Sequence, residues 1–99
     1  MKYTGWNPEW LNGRIVNRRD TDKYAVSICR PGKWSNPFTV EDYGRERAIQ
    51  LYELHIRRRP DLISALPELA GKILGCVCHP LPCHGAVLLR LLWEYHGIR

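Results

Sequence analysis

The chain has no apolar run near the ~18 residues that suggest a membrane helix, so no membrane partner is expected. Residues 1–11 hold no apolar stretch of a secretory leader. A cytoplasmic location with reduced thiols follows as the expectation, and disulfide staples are set aside. No internal repeat or low-complexity linker interrupts the chain, so one domain over residues 1–99 is expected. The paired C-x2-C spacing of a standard zinc module is also missing. The cysteines read instead as C-x-C-x4-C-H from Cys76 to His84, a compact spacing that ranks behind anion binding and buried packing. The reading therefore assigns no metal and no cofactor.

What is present is an ordinary globular composition, 44% hydrophobic and 25% charged over 99 residues. The formal charge is +5, which permits an anionic partner without choosing among nucleic acid, nucleotide and phosphate. Arg14, Arg18 and Arg19 cluster early. Arg57, Arg58 and Arg59 read as the solvated C-terminal end of a helix, where cations suit the dipole.

Residues 1–12 read as an irregular aromatic arm. Short β-branched or apolar runs predict strands over 14–17, 24–28 and 73–78. Apolar residues at helical spacing, with Ala48, Leu51, Tyr52 and His55 on one face, predict a helix over roughly 43–58, stopped by Pro60. Asp61 is expected to cap a short helix over 62–65, and 66–69 reads as a turn. A last helix over 85–96 is apolar almost all round, as for a helix packed between a sheet and another element.

The order is a small α/β arrangement. The connection from the second to the third strand is long enough for a parallel crossover. Ligands of such sheets bind at the carboxyl ends of the strands, where the loops 29–38 and 79–85 are expected to converge. In the first loop Arg30 offers a forked cation, Trp34 a stacking surface, and Ser35 and Asn36 short polar groups. In the second, Cys83, His84 and Gly85 open the last helix, where free N–H groups attract anions and lower a thiol pKa. These seven residues are the candidate ligand-binding set.

Four segments resemble a domain-of-unknown-function family of phages and bacteria. They are Ile28-Cys29-Arg30, Ser35-Asn36-Pro37-Phe38, Arg45-Glu46-Arg47-Ala48, and the closing stretch from Leu74 through Cys76, Cys78, Pro80, Cys83, His84 and Gly85 to Ala86. The resemblance implies a Rossmann-like fold with a short, mostly parallel sheet flanked by helices. Cys29 and Ser35 stand where the family pattern has glycine. Ala86 stands where it has aspartate, which favours binding over turnover.

The function expected is binding of a nucleotide or nucleotide-derived metabolite, a phosphate-bearing small molecule, to sequester or sense it. Two alternatives stay open: an enzyme acting on a nucleotide or nucleoside through Cys83 and His84, and a nucleic-acid-binding protein using the basic residues.

Overall fold

The computed structural model describes residues 9–29, 32–77 and 83–99. Its centre is a three-stranded sheet of β1 (Ile15–Asn17), β2 (Val26–Ser27) and β3 (Leu74–Cys76), in the order β1-β3-β2. Both pairings are parallel. All three residues of β3 are buried, whereas β1 and β2 are half-buried edges. A central parallel strand packed on both sides has no polar face to show, so Leu74-Gly75-Cys76 carries no alternation. The strands are shorter than their apolar runs predict, and Cys78, the last residue of the expected third strand, lies outside the described residues. Ladder bonds nevertheless continue past the strand ends. Arg18 N donates to Cys76 O at 2.7 Å, and Ile28 N to Gly75 O at 3.0 Å.

The crossover from β2 to β3 holds α1 (Val40–Tyr43), α2 (Arg45–Arg57), α3 (Pro60–Ala65) and a 3-10 turn, Leu66–Leu69. The last helix is α4 (His84–His96). The crossover thus opens with two helices in order: the one-turn α1, unexpected from the sequence, and α2, which is the helix expected over 43–58. Thr39 caps the first with its side chain, and Gly44 at φ 79° turns the chain into the second. That left-handed angle suits glycine and strains other residues. Helix α2 ends at Arg57, before Pro60 as expected, and Pro60 also occupies the first turn of α3. The cap residue of α3 is Arg59 rather than the expected Asp61, which is ion-paired to Arg59 at 2.8 Å. A first-turn proline forfeits no hydrogen bond, because that N–H has no helical acceptor.

Helix α4 buries Val87, Leu88, Leu89, Leu91 and Leu92 and leaves Trp93 exposed. Each such burial is worth about 1.5–3 kcal/mol. The helix packs on α2, α3 and the 3-10 turn. Its first turn also meets the sheet at Gly85. A Cβ there would stand 3.0 Å from Ile28 Cδ1 and 3.3 Å from Ile15 Cδ1. By register Ile15, Leu74 and Val26 share that face. Over the other face, at Gly75, lie Tyr24 and Arg18. Arg57 joins α2 to α4. It pairs with Glu94 at 2.8 Å and with Glu53, and donates to Tyr95 Oη at 3.1 Å.

Candidate functional site

At the carboxyl ends of β2 and β3 lies a cleft of about 320 Å³. Ile28, Cys29, Cys76 and Val77, the residues where the two strands end, line it. Asn36, Phe38, the start of α1 and His84 from the first turn of α4 complete the lining. The lining is mainly apolar, with a few polar groups set into it.

His84 is the most constrained of those groups. Its Nε2 lies 2.9 Å from the Ile28 carbonyl. A carbonyl only accepts, so Nε2 carries the proton and donates. The Tyr52 ring meets the imidazole at 66° with centroids 4.7 Å apart. Burial lowers the His84 pKa, while hydrogen bonds to the Ile28 and Trp34 backbone act the other way. Burial is the larger influence, so the fold favours the neutral ring. Tyr52 Oη donates to the Trp34 carbonyl at 2.7 Å. Burial raises the pKa of this phenol far above its ordinary value, so it remains a donor.

The candidate residues separate clearly. Asn36 and His84 line the cleft together. Asn36 is also structural: its Nδ2 donates to Ala48 O at 3.2 Å and its Oδ1 accepts from Phe38 N at 2.9 Å, pinning the loop to α2. Trp34 is a core residue, 2% exposed, whose Nε1 donates to Glu68 at 2.9 Å while Lys33 lies over its ring. Ser35 is half-buried, and its N–H donates to Gly32 O at 3.0 Å. Neither Trp34 nor Ser35 is among the cleft-lining residues. Arg30 lies outside the described residues, as do Cys78 and His79.

The expected anion site at the start of α4 has a different local structure. Cys83 is buried and is the N-cap, with its Sγ accepting from Gly85 N at 3.3 Å. The N–H of Ala86 turns back to Cys83 O at 3.3 Å. Two N–H groups expected to face a ligand are thus satisfied within the turn. Gly85 is buried against Ile28 and Ile15, so its missing side chain permits helix–sheet contact. Among the described residues, no group of three or more His, Cys, Asp or Glu is placed to hold a metal ion.

Sequence reasoning passed over Cys29, Phe38, Thr39, Val40, Glu41 and Val77 as site residues. One signal was available: Val77 directly follows β3 and Cys29 stands two residues past β2, at the ends of adjacent parallel strands where such sheets bind ligands.

No helix among the described residues is long and apolar enough to cross a membrane. The sequence profile of the domain of unknown function DUF4326 matches residues 14–94. The chain is 35% identical over 83 residues to an uncharacterized 12.4 kDa protein in the nrdA-td intergenic region of Enterobacteria phage T4, a match covering 80% of this chain and 76% of the phage protein. It is 36% identical over 88 residues to uncharacterized protein R718 of Acanthamoeba polyphaga mimivirus, covering 74% and 68% of the two chains. No solved structure matches the chain.

Proposed function

The chain belongs to the DUF4326 family, and on that premise we propose that it binds a nucleotide or nucleotide-derived metabolite in the cleft at the ends of β2 and β3. The observation carrying this reading is the cleft itself: about 320 Å³, mostly apolar, with His84 and Asn36 among its lining residues. Small-molecule sites are concave, apolar and furnished with a few fixed polar groups. A flat heteroaromatic ring suits walls made of Phe38, Val40, Val77 and an imidazole. A Rossmann-like relationship belongs to the same proposal, supported by parallel strands and a cleft at their carboxyl edge. The role is capture rather than turnover. Cys83, the thiol favoured for chemistry, is buried as a helix cap.

Val77 gives a direct test, because it lines the cleft and is 44% exposed, so replacing it leaves the core intact. Titration calorimetry with adenosine, uridine and their monophosphates should show binding to at least one of them. Val77→Glu should weaken it tenfold or more, by filling the mouth and repelling phosphate. Leu54→Glu, an equally exposed change on α2, should leave it unchanged. If none of these compounds binds the parent, or Val77→Glu binds as well as the parent does, the reading is wrong.

A further inference from the structure

We propose that Arg18 is the anion-binding residue of this cleft, the group that receives the phosphate of a nucleotide whose ring occupies the cavity. The inference rests on the small-molecule reading above and adds the ligand class: a phosphorylated nucleoside in preference to the bare nucleoside.

Arg18 follows β1 directly, at the carboxyl edge of the sheet where the cleft opens. Its backbone N–H donates to Cys76 O at 2.7 Å, which fixes its Cα beside the end of β3. Its side chain then crosses the sheet over Gly75. A Cβ on Gly75 would lie 3.0 Å from Arg18 Cγ and 2.7 Å from two atoms of the Tyr24 ring. The bare strand position is therefore what admits this crossing. Arg18 Nε donates to Tyr24 Oη at 3.1 Å, and its Cζ stands 5.8 Å from the Tyr24 ring centroid. The guanidinium is also near enough to the Cys29 side chain, which lines the cleft, to interact with it electrostatically. The stem and the ring thus hold one guanidinium over Gly75, next to the cleft residues Cys29 and Cys76 though not itself among the lining.

The charge is not spent on a carboxylate. Arg57, Arg59, Arg90 and Lys33 form ion pairs on the helical side of the molecule. Arg18 is exposed and joins no ion pair among the described residues. A guanidinium has five donors in a rigid fork. Tyr24 occupies the Nε–H and leaves the terminal edge suited to bidentate contact with phosphate. Pre-orientation lowers the entropy lost when an anion docks.

The test compares adenosine with AMP, and uridine with UMP, by calorimetry on the parent, Arg18→Met and Arg18→Lys. The parent should bind each monophosphate at least tenfold more tightly than its nucleoside. Arg18→Met should abolish that preference and leave nucleoside affinity within about twofold. Arg18→Lys should restore part of it, since charge returns without the fork. In 15N-labelled parent protein, inorganic pyrophosphate alone should shift the Arg18 Nε–H resonance. An unchanged preference in Arg18→Met overturns the assignment while the cleft reading survives. Equal loss of nucleoside and monophosphate affinity shows a structural role and also overturns it. Failure of the parent to bind any of the four compounds overturns the cleft reading itself.

Discussion

His84 shows how one side chain can be placed by sequence and yet have its chemistry decided by packing. The Cys-His-Gly run at a helix start marked it as a site residue. Its contact with the Ile28 carbonyl and the Tyr52 ring comes from elements 56 and 32 positions away. Because burial lowers its pKa below the ordinary 6.5, the unfolded chain binds a proton that the folded chain refuses. Stability from this group is therefore complete above about pH 6.5 and falls as pH drops toward and through the lowered folded value. One such group contributes a slope of at most about 1.4 kcal/mol per pH unit. Urea melts of the parent should lose stability from pH 7 to pH 5 more steeply than those of His84→Gln. His55 is lowered too, by burial and by Arg59, and stays in both proteins, so the difference isolates His84. Parallel profiles would contradict the buried, neutral imidazole.

Among the elements, β3 was the most legible and its centre the least. The run before Cys78 reads as a buried strand because Leu74 and Cys76 are apolar. Nothing in that run tells that Gly75 lies beneath Tyr24 and Arg18, since both partners come from a loop that is remote in sequence. The same limit applies to Gly85, read as ligand access and found against Ile15 and Ile28. Helix α1 went unread because its four residues are too few to show an apolar periodicity like that of Ala48, Leu51, Tyr52 and His55 in α2. Its signals, Thr39 as cap and the glycine itself, are local and weak beside that periodicity. Trp34 was misplaced because a tryptophan among turn-forming residues looks available for stacking. The crossover supplies Glu68 as a partner for its Nε1, and the ring becomes core. The crowding at Gly75 has a measurable consequence. Gly75→Ala should destabilise the fold by about 1–3 kcal/mol, the usual cost of overpacking. In a Tyr24→Ala background the same substitution should cost much less, because its nearest obstacle is gone. Equal costs in the two backgrounds would show that Tyr24 does not occupy that face.

At the scale of the whole molecule, the architecture divides tasks between the two faces of the sheet. Helix α4 and the crossover supply the core on one face, including the Arg57 link between α2 and α4. Tyr24 and Arg18 cover the centre of the other with polar tips and a charge. The cleft opens where both meet, at the strand ends, with the imidazole on one side of the sheet and the guanidinium on the other. The overall +5 charge was visible from composition, but its allocation was not. Ion pairing engages cations of the helical side and leaves Arg18 available. The central claim is that this cleft is a ligand site. Backbone 1H–15N chemical-shift mapping with AMP and UMP tests it most directly. Saturable shifts should centre on Ile28, Cys29, Phe38, Val77 and His84, with Arg18 beside them. Shifts confined to other surfaces, or none at millimolar ligand, would contradict it.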